Sequence, residues 1–337
     1  MMIHQLSIDS AQRPCMQNPS LTIPSPPDSR TNLPANSKPG KFAVPVFSAV
    51  HQALFAVMLF ALTIPMTQIA LGSFSAEFIA ASRAVIAGLT AWVVIVINGW
   101  KRPPLQALPW LLLAGVGVVL GFPYLLSLSL TRIPAADMGV VLAGLPLVTS
   151  LLATLLQGER HPPRFWFFSV VGCSLLAGYV ITTIGALPAF APQHLLTLIA
   201  TLLFGGLGYS AGAKAAAMIG GWQTICWMVV LYLPLSALVW GSLWATEAAH
   251  SNQQNIVESM LALLYLGLIS QLWGFRFWYR SLATAGVAKI SQLQLLQPFF
   301  TLAFISLMLR DSITVAQLLF CALIVLMVMC AMKSAKR

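Results

Sequence analysis

SLTRIPAADMGVVLAGLPLVTSLLATLLQGE, residues 129–159, returns in outline as SLATAGVAKISQLQLLQPFFTLAFISLMLRD, residues 281–311. Laid side by side without a gap, the two share Ser129 with Ser281, Ala136 with Ala288, Pro146 with Pro298 and Thr149 with Thr301, and Glu159 falls opposite Asp311. Leucine matches are cheap in apolar sequence, but a shared proline and a shared carboxylate are not. Internal repetition is weighed first because it sets the architecture. Each copy is an apolar run long enough to cross a bilayer, with a proline in its middle and an acid at its end. The chain reads as two copies of one membrane unit.

Composition agrees. The chain is 58% hydrophobic and 8% charged, with a mean hydropathy of +0.85, against roughly 25% charged residues in soluble domains. A water-soluble fold could not hide that much apolar surface. The net charge of +10 does not point to nucleic acid, because the basic residues lie in short polar gaps between apolar runs rather than in one patch. Cys173, Cys226, Cys321 and Cys330 lie inside apolar runs and Cys15 lies apart, with no paired spacing. They read as small packing residues, not as a disulfide framework or a metal site.

Residues 1–42 are rich in proline, serine and asparagine (PSLTIPSPPDSRTNLP) and poor in aromatics. Such a segment cannot bury enough surface to repay its ordering entropy, so a disordered cytoplasmic tail is expected, and its pattern is not that of a secretory signal. Ten apolar segments follow, at about 43–66, 76–98, 107–130, 134–156, 165–186, 194–213, 222–245, 258–279, 286–309 and 313–333. Continuous apolarity without period-2 alternation argues for helices rather than barrel strands. The expected fold class is an all-α integral membrane protein of ten transmembrane helices, as two inverted five-helix repeats at 43–187 and 193–333.

The inversion follows from charge. With the tail on one side, that side receives Lys101, Arg102, Arg160, Arg164, Lys214, Arg276, Arg280 and Lys289 as well as both termini, while only Arg132 and Arg310 fall opposite. Positive charge marks the cytoplasmic side. Five segments per repeat is an odd number, so the second copy enters the membrane upside down, which is the inverted-repeat plan of secondary transporters. Asp137 then stands at the outer end of the fourth segment and Lys289 at the equivalent inner end of the ninth.

PAADMGVVLAGLPLVTSLLATLLQGE with GCSLLAGYVI, and WYRSLATAGVAKISQLQLLQPFF with LMLRD, closely resemble the two EamA-type repeats of the drug/metabolite transporter superfamily. The resemblance covers roughly 43–333, with Arg310 and Asp311 standing where the family carries a second Gly-Glu. It implies a ten-helix transporter of the bacterial inner membrane, usually an exporter of amino acids or other small metabolites, and fixes no substrate.

Polar residues inside segments are costly unless they face the bundle interior, so they are the candidates for substrate contact. Arg83, in the second segment, is either a partner for an anionic substrate group or a snorkelling arginine. Glu77 lies about 240° round the helix from it and is not expected to pair with it. Gln294 and Gln297 share a helical face beside Pro298, with Gln292 pointing elsewhere; they either line a cavity or fasten helices together. Tyr124 adjoins Gly115, Gly117, Gly121 and Pro123, a run that invites close packing or a break. His51 is either a proton relay or a packing hydrogen bonder. Pro146 and Pro298 are hinge or cavity-wall candidates, because each leaves a carbonyl that only protein or a water-filled cavity can satisfy. Trp273, Trp278 and Tyr279 beside Arg276 and Arg280 read as an interfacial anchor belt.

No spaced His or Cys cluster and no phosphate-binding glycine loop occurs, so neither a catalytic centre nor a cofactor is expected. The expected partners are a small-molecule substrate and the lipid bilayer; a homodimer is compatible with the sequence. The alternatives to a secondary transporter are a channel, a membrane-embedded enzyme and a structural subunit. Reporter fusions at the tail and after Arg337 are expected to report cytoplasmic location alike, and a periplasmic signal from either end overturns the five-plus-five topology.

Overall fold

Inside lipid a backbone must satisfy its own hydrogen bonds, and an apolar run of twenty residues does so as a helix. The computed structural model describes residues 46–157, 162–179, 181, 192–250, 255–285, 291–310 and 312–335. No strand occurs among them. They belong to one compact unit, Val44–Arg337. The expected tail at 1–42, the turn carboxylates Glu159 and Asp311, and Lys289 lie outside the described residues.

The first repeat supplies α1 (Val46–Ala61), α2 (Thr63–Ala70), α3 (Ala76–Ile97), α4 (Leu108–Gly115), a π-helical segment (Val116–Gly121), α5 (Phe122–Leu130), α6 (Ala135–Leu142), α7 (Leu145–Gln157) and α8 (Pro163–Tyr179). The second supplies α9 (Pro192–Ile219), α10 (Gly221–His250), α11 (Ile256–Leu264), a second π segment (Tyr265–Gly274), α12 (Phe275–Ala285), a 3-10 turn (Ser291–Leu296), α13 (Gln297–Met308) and α14 (Val315–Ala335). Among the described residues seven stretches are long and apolar enough to cross a membrane: Ala49–Ala70, Ala76–Ile97, Leu108–Leu130, Ala135–Leu156, Gln193–Ile219, Gly221–Glu247 and Ile256–Leu282. Leu293–Met308 and Val315–Ala331 are shorter apolar helices. They coincide with nine of the ten segments read from hydropathy; α8 coincides with the remaining one, at 165–186.

The two repeat prolines do more than kink their helices. Before Pro146 the chain tightens, with the N–H groups of Ala143 and Gly144 donating three residues back to Val140 and Val141 at 3.0 and 3.1 Å. α7 then restarts with Pro146 in its first turn, where a missing N–H costs nothing. Pro298 stands equivalently in the first turn of α13, after the 3-10 turn. In the first copy two half-helices, α6 and α7, meet just ahead of the proline, and in the second a 3-10 turn leads into α13 at the equivalent place.

The offset of 152 residues that lays 281–311 on 129–159 also relates elements far from that stretch. It carries Val116–Gly121 onto 268–273, inside the second π segment. It also maps α3 onto α10 and α8 onto α14, and these pairs pack against each other. The pairing of α1 with α12 exchanges with that of α9 with α5, and α1 with α13 exchanges with α9 with α7; all four occur. Packing that survives this exchange is what a two-fold relation between halves requires.

Close approach at the crossing of the first π segment and α9 depends on absent side chains. A Cβ on Gly117 would stand 2.5 Å from the Phe204 carbonyl oxygen and from the Gly208 nitrogen, which are backbone atoms that cannot turn aside. The glycine run in the third segment thus serves both readings its sequence offered, close packing and a departure from α geometry.

Asp137, expected at a helix end, is buried at 5% exposure in the first turn of α6. Its Oδ1 accepts from the Tyr179 hydroxyl at 2.6 Å and from Gln317 Nε2 at 2.7 Å. Gln317 also closes a capping box at the start of α14, exchanging hydrogen bonds with Thr314 at 2.9 and 3.2 Å. One carboxylate thus ties α6 and α8 of the first repeat to α14 of the second. Gly117→Val is expected to destabilise the bundle by about 1–3 kcal/mol or more, read as a lowered melting temperature in detergent, whereas Gly241→Ala, which meets nothing within 4 Å, should leave it unchanged.

Candidate functional site: a buried guanidinium at the repeat junction

Ser75 starts α3, accepting from the Phe78 N–H at 3.3 Å and presenting its own N–H to the Glu247 carboxylate at 3.2 Å. The helix carries Arg83 among alanines, Ala80, Ala81, Ala84 and Ala87, all buried. These small residues let neighbouring helices close over the guanidinium, which is 2% exposed. Its Nη2 donates to Gln271 Oε1 at 2.9 Å and, at 3.4 Å, more weakly to Ser270 Oγ. Nε finds no partner. Among the described residues no carboxylate pairs with it: the protein holds a buried cation with neutral oxygens alone.

Both of those oxygens belong to the second π segment. Gln271, fully buried, turns its Nε2 to the Val118 carbonyl at 3.0 Å, and Val118 belongs to the first π segment. The two irregular segments therefore meet through one side chain, next to the guanidinium. Ser270 Oγ also shares a 2.8 Å hydrogen bond with Thr63 Oγ1 at the start of α2. Pro65 leaves the Ala61 carbonyl without its i+4 donor, and Thr301 of α13 supplies one from its hydroxyl at 3.2 Å.

This string of polar groups borders a cavity of about 20 Å³, room for roughly one water. Arg83, Gln297, Gln271, Ser270, Thr63 and Tyr209 line it, with Phe60, Phe122, Leu126, Leu142 and Phe275 among its apolar walls. The Tyr209 hydroxyl faces both Arg83 and Gln294. Gln297 Oε1 and Gln294 Nε2 are buried without partners. An unpaired acceptor and an unpaired guanidinium N–H thus belong to residues that line one cavity, a departure from the rule that buried polar atoms are satisfied.

Of the residues singled out in the sequence, the structure brings together Arg83 and Gln297, with Gln294 reaching them through Tyr209. Pro146 and Pro298 are buried and lie next to cavity residues in sequence without lining the cavity themselves. Tyr124 is half-buried and turned to Glu77. His51 lies on an exposed side of α1. Neither lines the cavity. Ser270 and Gln271 went unremarked in the sequence because GLISQLWG reads as one more apolar stretch. A signal was present, since the offset of 152 sets Gln271 against Val119 and so marks a polar residue introduced into one copy only. Among the described residues no three His, Cys, Asp or Glu side chains gather as a metal site.

Helices long and apolar enough to cross a membrane, packed round a closed polar centre, define a multi-pass membrane protein. The sequence matches the EamA-like transporter family over residues 47–184 and 191–332, and the chain belongs to that family, within the drug/metabolite transporter superfamily. It is 38% identical over 257 residues to an uncharacterized transporter, YdeK, of Bacillus subtilis (strain 168), an alignment covering 76% of this chain and 87% of that protein. It is 24% identical over 246 residues to a probable terminal-alkyne amino-acid exporter of Streptantibioticus cattleyicolor, covering 72% and 78%. One solved crystal structure superposes with a TM-score of 0.60 at 20% identity, over 86% of this chain and 98% of that one, a likeness of fold.

Gln271→Leu strands both the Arg83 guanidinium and the Val118 carbonyl, and is expected to cost about 1–3 kcal/mol, seen as a lowered melting temperature. Gln271→Glu keeps the acceptor for Arg83 and adds a counter-charge but still loses the donor to the Val118 carbonyl, so its stability should fall between those of Gln271→Leu and the wild type.

Proposed function

We propose that this chain is a secondary active transporter, built as two inverted five-helix repeats in the bacterial inner membrane with both termini cytoplasmic, that exports a small polar metabolite bearing a carboxylate, such as an amino acid. The observation that carries the proposal is the Arg83 guanidinium, 2% exposed and without a carboxylate among the described residues. A cation in low dielectric attracts an anion far more strongly than one in water, so a substrate carboxylate is the natural missing partner. The free Nε of Arg83 offers it a donor. Gln297 Oε1 then accepts from an ammonium or hydroxyl of the same solute, and Gln294 Nε2 donates to a further oxygen. The exporter name of the Streptantibioticus relative points the same way.

The size of the cavity adds the mechanism. A space for about one water excludes any amino acid, so loading requires the two repeats to part on one side and then the other. The joint before Pro146, the 3-10 turn before Pro298 and the π segments joined by Gln271 are where the packing can change without breaking a regular helix. No chemical conversion of the solute is invoked.

Proteoliposomes given a panel of radiolabelled amino acids test this, with uptake normalised to inserted protein. Saturable uptake and counterflow are expected from the wild type. Arg83→Ala is expected to lose at least about 30-fold in apparent affinity, the counterpart of the ~2 kcal/mol or more that truncating one partner of a buried charge pair costs. Arg83→Lys keeps the charge, loses the planar fork and falls between. Gln294→Leu and Gln297→Leu should shift selectivity among the panel at unchanged abundance. Normal uptake per molecule in Arg83→Ala removes Arg83 from the site, and recovery of a chemically altered product replaces transport with catalysis.

A further inference from the structure

A second cationic site lies away from the cavity, where α10 begins and α12 runs past it. The Arg276 guanidinium carbon lies 4.8 Å from the Trp222 ring centre and 4.7 Å from that of Trp273. Those two rings are 5.8 Å apart and inclined at 33°, so they form an open cradle rather than a sandwich. Cation–π contact on two faces holds the guanidinium still while leaving its N–H edge free. Arg280, one turn further along α12, stands close enough to repel Arg276 electrostatically. A Cβ on Gly221 would meet the Arg280 backbone, which places the second arginine against the start of α10. Among the described residues neither guanidinium meets a carboxylate or other side-chain acceptor.

Two like charges kept adjacent, with their donors unfilled, point to an external anion. The surroundings say which kind. The aromatic row continues from Trp100 through Trp222 and Trp273 to Phe277 and Phe55, with successive ring centres 5.3–6.4 Å apart. Two of its members are open to the surroundings, Trp273 at 40% and Phe55 at 49% exposure. Indole rings favour the headgroup level of a bilayer. The arginines thus sit beside an exposed apolar surface suited to acyl chains, an arrangement with no use for a freely dissolved ion. A basic pocket between helices on the positively charged side of a membrane protein is a headgroup site in its chemistry.

We propose that Arg276 and Arg280, on the Trp222–Trp273 cradle, bind the phosphodiester of an anionic phospholipid. The site is separate from the Arg83 cavity and does not depend on what the chain transports. Purified full-length protein, melted in micelles of phosphatidylcholine with or without dioleoyl-phosphatidylglycerol, provides the test, with native mass spectrometry counting the lipids retained. The wild type should melt higher with phosphatidylglycerol and retain it in preference to phosphatidylcholine, and the preference should shrink as salt screens it. Removing each guanidinium should weaken retention roughly five-fold, so Arg276→Gln/Arg280→Gln should lose most of the preference while melting normally in phosphatidylcholine alone. Should that variant fail to fold, Trp222→Leu supplies the second test, because it opens the cradle with both charges kept and should weaken retention in the same direction. A wild type indifferent to phosphatidylglycerol overturns the proposal, as does a folded double variant with undiminished preference. An equal melting shift from inorganic phosphate assigns the site to a dissolved ion and overturns the lipid.

Discussion

Inside a bilayer a polar group that the protein itself does not satisfy has no water to turn to, and this constraint governs the arrangement of the bundle. Pro65 frees the Ala61 carbonyl, and a threonine from the other repeat supplies the missing donor. The Val118 carbonyl, in the first π segment, is met by Gln271 in the second. Asp137, carried below the surface, is met by donors from two helices of different repeats. In each case the satisfying group comes from a distant part of the chain. The breaks that a transporter needs are therefore also the points that tie its halves together.

Against that rule the partnerless groups at the centre stand out. Arg83 Nε, Gln294 Nε2 and Gln297 Oε1 are buried without partners, each at the expense of a hydrogen bond that folding could have supplied. Two of them, on Arg83 and Gln297, belong to residues lining one small cavity, and an unsatisfied donor and acceptor so placed are what a site looks like when its remaining partner is a solute. The Asp137 cluster has no such remainder and reads as a structural tie.

Repetition and departure from repetition divide the labour. The offset of 152 residues sets the π segments, the repeat prolines and the packing pairs of one copy upon those of the other, so symmetry accounts for the arrangement of helices. It does not account for the chemistry. The same offset places Arg83 opposite Leu235, Gln271 opposite Val119, Ser270 opposite Val118, Gln297 opposite Leu145, Thr63 opposite Ala215 and Tyr209 opposite Val57. Every polar residue lining the cavity has an apolar counterpart. Both copies contribute polar groups to the lining, Thr63 and Arg83 from the first and Tyr209, Ser270, Gln271 and Gln297 from the second, so the site's chemistry comes from departures that each copy made separately.

By itself the sequence determined the helical membrane class, the repeat, the nine segments now seen as membrane-length or shorter apolar helices, and Arg83 and Gln297 as candidates. These are properties of hydropathy, spacing and single costly residues, and they need no knowledge of what lies across the bundle. Tertiary structure alone decided that Arg83 meets no carboxylate among the described residues, that Gln271 and Ser270 hold it, that Tyr124 and His51 face elsewhere, and that Asp137 is buried. Each of those facts is a contact between residues more than forty positions apart or the absence of one. A helical period places a side chain on a face, but only the packing of the other repeat says what that face meets.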